Sequence, residues 1–404
     1  MPKRPSDSIF QMHLKMTTQA AAFLTALMPD ELGGRRARKL MTTGTQSRLR
    51  AMGIALMAFA CSSCATRPMQ GVLVPTVEAV SGSSRIPILL ATTRQRSSND
   101  PGEMFSSERA DAISYAKVVI SIPPGDNRKV GEIQWPASPP GDPQRDFVTV
   151  SADYINKREF GAAITSVGKE SHRNKAMIFV HGFNNRLDDA AYRLAQIVQD
   201  SKAPVIPILF SWPSRGVVDL RAYEYDRESS TQSSDELEQL IDTVALSPRV
   251  NEVTIVCHSM GCALTLEALH AKAMRDGKIG DKVRNVLLVA PDVDANHFRA
   301  KMHEMGNARP RFVLLLSQDD HALKISKVLW GGATRLGDVD PRFEPYKSDF
   351  QRERIVVFDL THLNGDAHSR AFDEVQSVMG MIERRLAEGQ QLDEDPSRTV
   401  VASR

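Results

Sequence analysis

The sequence predicts an α/β protein with a mainly parallel central sheet, helices on both faces and an antiparallel N-terminal edge. Three observations predict it. Beyond Lys175, short apolar runs rich in Val and Ile alternate with helix-like stretches, the pattern that a parallel sheet buried on both faces requires. Before Lys175, strand-like runs follow one another with no helix between them, which suggests the antiparallel edge. The composition, 42 % hydrophobic and 25 % charged over 404 residues, supports a sizeable core and argues against global disorder.

The chain opens on a leader, residues 1–64. Arg48-Leu-Arg50 precedes the apolar run Ala51–Ala60, and Cys61-Ser-Ser-Cys64 follows. A basic start, a short apolar stretch and small residues read as an export signal too short to span a bilayer comfortably. A Cys after small residues resembles the lipobox of bacterial lipoproteins, in which the thiol is acylated. Cys61 follows Ala60, and Cys64 opens Cys64-Ala-Thr-Arg-Pro68, so either thiol is a candidate for lipidation. The expectation is an exported, membrane-attached protein facing the periplasm. Met41 stands at a natural distance upstream of Arg48 and is an alternative start. Residues 65–84 are small, polar and Pro-containing, and read as a tether.

The body is expected over residues 85–387. Ile86–Ala91, Ser114–Ile122 and Gly131–Trp135 read as strands, separated by turn-rich loops at 94–110 and 123–130. Ala176–Val180, Val205–Phe210, Val253–Val256, Val283–Val289, Arg311–Leu316 and Arg354–Phe358 read as buried strands. Between them lie helices at Asp188–Asp200, Ser234–Leu246 and Cys262–Met274, and Phe372–Ala387 closes the fold. The tail from Glu388 to Arg404 is polar, with the composition of a disordered segment.

Charge narrows the function classes. Residues 1–60 hold nine Lys/Arg against three acids, leaving 42 basic and 46 acidic residues in the rest. A mildly acidic body with no basic stripe argues against a nucleic-acid partner. The four cysteines lie in two close pairs, Cys61/Cys64 and Cys257/Cys262; they imply no disulfide framework and no zinc site. No metal and no cofactor is expected.

The chemistry centres on Val253-Thr-Ile-Val-Cys-His-Ser-Met-Gly-Cys262, which runs from a strand into a helix. Such a turn holds Ser259 in a strained conformation with its hydroxyl above the sheet, and it needs small residues two before and two after the serine. Gly261 meets this fully, and Cys257 is small enough to fit. The competing reading is a serine that caps the helix. His181-Gly-Phe-Asn184 follows the strand Ala176–Val180, where the Phe183 N–H would be one oxyanion donor and the Met260 N–H the second. Alone, that segment would read as a glycine turn with a packed histidine.

The partners of a serine nucleophile follow in the order acid, then base. Ser317-Gln-Asp-Asp-His321 comes after the strand Arg311–Leu316, so Asp320 is the first candidate acid and Asp319 the next. Asp292 and Asp294, one strand earlier, are weaker candidates that could equally cap a helix or close a turn. For the base, His362 follows the last strand with little slack. His368 sits in a glycine-containing loop that gives its ring freedom to reach Ser259, and is preferred. His258 is expected to point away from the nucleophile as a packing residue.

With these residues in view, the sequence resembles the bacterial α/β-hydrolase group once labelled domain of unknown function 900, among the esterase/lipase-like proteins. The matching stretches are Ala91-Thr-Thr-Arg94, His181-Gly-Phe-Asn184, Phe210-Ser-Trp-Pro213, Tyr225-Asp-Arg-Glu-Ser229, Cys257-His-Ser-Met-Gly261, Ala290-Pro-Asp-Val-Asp294, Asp320-His-Ala-Leu-Lys-Ile-Ser326 and His368-Ser369. The resemblance implies the α/β-hydrolase fold and supports the triad Ser259, Asp320, His368 residue by residue. The expected activity is hydrolysis of carboxylic esters through an acyl-enzyme, with Pro213–Ser234 and Leu329–Ser348 long enough to roof the site. An acyltransferase with the same triad and a non-catalytic envelope scaffold are the alternatives.

Overall fold

The computed structural model describes residues 67–76, 80–98, 102–329, 332–361, 363–373 and 400–401. The leader, with Cys61 and Cys64, lies outside the described residues, as do His362 and most of the expected closing helix. Among the described residues, no helix is long and apolar enough to cross a membrane.

Among the described residues, ten strands form one sheet. In chain order they are β1 (Ser84–Arg96), β2 (Phe105–Ile122), β3 (Val148–Ile155), β4 (Lys175–Val180), β5 (Val205–Ser211), β6 (Glu252–His258), β7 (Val283–Val289), β8 (Arg311–Leu316), β9 (Val356–Asp359) and β10 (Val400–Val401). Their spatial order is β10-β9-β8-β7-β6-β4-β5-β1-β2-β3. From β1 through β10 each neighbour is parallel, whereas β2 runs antiparallel to both β1 and β3. The expected layout is therefore present, antiparallel edge included.

The third edge strand differs from the expectation. Gly131–Trp135 is not a strand; Val148–Ile155 is. Gly131 has φ +84°, and a side chain there would collide with the Asp373 carbonyl. Its N–H bonds to Asp200 Oδ2 at 2.8 Å, and Trp135 stacks on Tyr192 at 5.1 Å. These residues spend their polar and aromatic groups on neighbouring side chains, not on a ladder. The first two strands also run beyond their expected ends, so the loop expected at 94–110 shortens. Val400–Val401, within the expected polar tail, pairs with β9.

The helices are α1 (Lys157–Glu170), α2 (Leu187–Ser201), α3 (Leu220–Gln232), α4 (Ser234–Leu246), α5 (Met260–Asp276), α6 (Ala295–Met305), α7 (His321–Leu329), α8 (Tyr346–Arg352) and the short α9 (Arg370–Asp373). Helix α1, absent from the sequence reading, starts on a capping box: Asn156 Oδ1 accepts from Glu159 N–H and Glu159 accepts from Asn156 N–H, satisfying two otherwise orphaned donors. Helix α3 occupies part of a segment expected as a loop. At its start the Ala222 N–H bonds to Asp219 Oδ1 at 2.8 Å.

Pleating sends Phe179, Leu209, Val256 and Phe358 to the face covered by α2, where Ala190, Leu194 and Ile197 meet them. Ile178, Ile208, Ile255 and Leu314 point the other way and are equally buried, which explains the uninterrupted apolar strands. The segment expected as a tether is not free over residues 67–76: Val72 and Leu73 are buried in this core, and Arg67 pairs with Asp189.

Candidate active site

The strand order prepares the site. Strand β4 lies between β5 and β6, so the chain leaves it to one side and returns on the other. The carboxyl ends of strands at such a reversal open a crevice where α/β proteins bind ligands. Val180 and Cys257 are register partners at the ends of β4 and β6. The loop His181–Arg186 and the elbow at Ser259 therefore leave the sheet side by side.

Ser259 joins β6 to α5 with φ 50° and ψ −122°, a left-handed conformation that a residue other than glycine adopts only when its surroundings enforce it. Here the Ser259 N–H bonds to Val289 O at 3.0 Å and its carbonyl accepts from Asp292 N–H at 3.2 Å. Ser259 stands at the N-cap position, yet its side chain makes no cap hydrogen bond; the capping role is not what the hydroxyl performs. Gly261 is sterically required, because a Cβ there would overlap the His181 carbonyl. Cys257 is fully buried and its thiol faces Leu287 O at 3.5 Å.

Asp320 and His368 come together. His368 Nδ1 donates to Asp320 Oδ2 at 2.7 Å, while Asp320 Oδ1 accepts from Leu323 N–H at 3.1 Å. Asp320 is 0 % exposed. Burial alone would raise its carboxyl, but the His368 charge and hydrogen bonds outweigh it and hold the group below the usual carboxylate range. In His368 burial disfavours the imidazolium, and Asp320 more than compensates, raising the ring above the ordinary histidine value. With Nδ1 committed to Asp320, Nε2 is the nitrogen left to exchange a proton.

The other carboxylates have separate tasks. Asp319 is held by Arg370 in a bidentate pair, both contacts 2.9 Å. Asp292 accepts from Ser326 Oγ at 2.6 Å, and Asp294 caps α6 by accepting from Asn296 and His297 N–H.

His258, expected to point away from the nucleophile as a packing residue, packs against His368 and Phe372 and also bonds to the His368 main chain. Its Nε2 donates to the His368 carbonyl at 3.0 Å, its ring lies 4.7 Å from that of His368, and Phe372 meets it edge-on at 5.1 Å. This contact brings the His368 loop to the residue preceding Ser259. Burial, assisted by the neighbouring His368, depresses His258 to about 3, so it is a neutral donor.

Arg94, from Ala91-Thr-Thr-Arg94, is buried beneath the His181 loop. It donates to Ser211 Oγ at 2.8 Å, Ser214 O at 3.1 Å and Asn185 O at 2.8 Å. Burial lowers its guanidinium to about 10 despite the nearby carboxylate of Asp226. Ser211 Oγ also meets His181 Nε2 at 3.1 Å, and His181 Nδ1 meets Gly182 O at 2.9 Å. Since Gly182 O can only accept, the proton belongs on Nδ1. Burial depresses His181 to about 3, so it too is neutral. Trp212 Nε1–H holds the His181 carbonyl at 2.8 Å. These bonds fix the loop carrying Phe183, whose carbonyl accepts from Asn185 Nδ2 at 2.8 Å. Met260 is the first residue of α5, where an N–H has no partner within the helix.

The sequence reading gave Arg94 and Arg370 no role. For Arg94 the signal lies in the structure: strand β1 runs on past Ala91 and buries it, and a buried charge demands a dedicated set of partners.

The sequence matches the family described as "Alpha/beta hydrolase of unknown function (DUF900)" over residues 156–385. No curated protein matches it. Among solved structures it is similar to an uncharacterized protein from Bacillus cereus ATCC 10987 (12 % identity, 58 % of this chain and 69 % of that one, TM-score 0.33). It is also similar to a lipase-esterase related protein from Clostridium acetobutylicum ATCC 824 (12 % identity, 53 % and 95 % covered, TM-score 0.30). A third likeness is to a Pyrobaculum calidifontis esterase (10 % identity, 77 % and 87 % covered, TM-score 0.32).

Proposed function

The chain belongs to this family of α/β hydrolases, and from that premise we propose that it is a serine esterase acting through Ser259, His368 and Asp320. The observation that carries the reading is the 2.7 Å bond between buried Asp320 and His368, in a loop tied to the strained serine elbow. In this reading Ser259 Oγ attacks the ester carbonyl while its proton passes to His368 Nε2. The same proton then leaves with the alcohol, and water, deprotonated by His368, hydrolyses the acyl-enzyme. Asp320 fixes the imidazole tautomer and stabilises the imidazolium that forms. The N–H groups of Phe183 and Met260 receive the oxyanion, a service for which removing one donor typically costs about 3 kcal/mol.

Labelling with a fluorophosphonate, together with p-nitrophenyl butyrate hydrolysis, tests the proposal. Ser259→Ala is expected to lose both while staying folded; labelling that persists at another serine would sink the assignment. Alcohols added to the assay separate ester hydrolysis from acyl transfer by their products.

We also propose that the enzyme works outside the cytoplasm, lipid-anchored through Cys64 or Cys61. Acyl chains stabilise membrane attachment by roughly 0.8 kcal/mol per buried methylene. In a bacterial host, globomycin or the double change Cys61→Ser/Cys64→Ser should block maturation and alter the protein's size. Recovery of unprocessed wild-type protein from the cytosol would refute export.

A further inference from the structure

We propose that Arg370 is a positioning residue for the Asp320–His368 pair, with Asp319 as its fixed counter-ion. One buried guanidinium would then lock the loop bearing the acid to the loop bearing the base. The inference rests on reading Asp320 and His368 as the catalytic pair.

Arg370 reaches into both loops at once. Its Nη1 donates to Ser317 Oγ at 2.6 Å, Asp319 Oδ1 at 2.9 Å and Leu360 O at 3.1 Å. Nη2 takes Asp319 Oδ2 at 2.9 Å, and Nε donates to Asn364 O at 3.2 Å. Ser317 and Asp319 follow β8; Leu360 and Asn364 follow β9. Asp319 is the neighbour of Asp320, and Arg370 stands two residues beyond His368. The Arg370 fork therefore joins the same two loops as the Asp320–His368 bond, beside the Gln318 N–H to Thr361 Oγ1 at 3.1 Å. Single hydrogen bonds let two loops shift about them; a planar, bidentate link fixes their mutual orientation.

Burial makes the arrangement directional. Arg370 is 5 % exposed, and a cation so placed is tolerable only with its donors satisfied. Asp319, by contrast, is partly open to solvent, and Arg370 holds its carboxyl below the usual range against the opposing effect of burial. Lysine would keep the charge but lose the fork, so the charge and the geometry are separable by experiment.

The test uses the full chain and the variants Arg370→Lys, Asp319→Asn and their combination. Folding is followed by circular dichroism, rates are normalised to folded protein, and p-nitrophenyl butyrate kinetics are read beside fluorophosphonate labelling rates. A misplacement of the base predicts kcat lower by about 10²-fold with little change in KM. Labelling should slow in parallel, and the double variant should be no worse than the poorer single one. Folded variants with wild-type kcat and labelling rates would overturn the proposal, as would losses that simply add. Asp319→Asn keeps the result interpretable if Arg370→Lys fails to fold. A wild-type enzyme that does not label at Ser259 would instead remove the triad reading and this inference with it. Normal labelling at Ser259 beside unimpaired Arg370 variants would remove this inference alone.

Discussion

His258 donates from Nε2 to the backbone carbonyl of His368 at 3.0 Å, so the residue before the elbow serine holds the main chain of the proposed base. The side chain is a tie between β6 and the loop after β9, not packing alone. His258→Phe keeps an aromatic ring against Phe372 and removes the donor. The expected result is a kcat about tenfold lower at nearly constant KM, the signature of looser placement. An unchanged kcat would reduce His258 to packing.

For the acid, Asp320→Asn should be the most damaging of the four aspartate changes, by about 10⁴-fold in kcat, because it leaves the ring in the wrong tautomer. Asp292→Asn and Asp294→Asn should act on stability, through Ser326 and the α6 cap respectively. A larger kinetic loss at Asp292 would move the acid one strand earlier.

The pH profile follows from the shifted groups. His368 must be neutral to accept a proton, and its value is raised by Asp320 against burial. The fall in kcat/KM on acidification should therefore be centred above the ordinary histidine value. Asp320 is depressed and His258 titrates near 3, so neither adds a limb near neutrality. The linked stability has the opposite sense on its two sides. The raised histidine contributes fully below its unfolded value and fades as pH rises through its folded one. The depressed Asp320 contributes above its unfolded value and is lost as pH falls through its folded one. Thermal melts of wild type and Asp320→Asn across this window check it; a difference that grows toward alkaline pH contradicts the pairing.

At the elbow, the two small residues should behave differently. Gly261→Ala drives a methyl into the His181 carbonyl and is expected to destabilise by about 3 kcal/mol, in the range of overpacked sites. Cys257→Gly removes a buried thiol and adds chain freedom, at roughly 1 kcal/mol. It should leave kcat nearly intact. Melting temperatures and residual esterase rates measured together decide both.

The parallel half of the sheet was legible in the sequence because burial on both faces writes itself as uninterrupted Val, Ile and Leu. The elbow was legible because its steric demand falls on adjacent positions. What escaped depends on distant partners. Gly131–Trp135 has strand-like composition, but Asp200, Tyr192 and Asp373 claim it from far along the chain. Arg94 and Arg370 take their meaning from carbonyls and hydroxyls on other loops. His258 could not be read either, since its hydrogen bond goes to a backbone atom 110 residues away.

The burial of Val72 and Leu73 moves the thermodynamic start of the domain. Each side chain contributes on the order of 1.5–3 kcal/mol when fully removed from water, and Thr149 Oγ1 donates to the Val72 carbonyl at 2.9 Å. A chain begun at Arg85 would forfeit these contacts and bare the apolar surface beneath them, inviting aggregation. One begun at Arg67 keeps them. The chain begun at Arg85 should accordingly melt at a lower temperature than the one begun at Arg67.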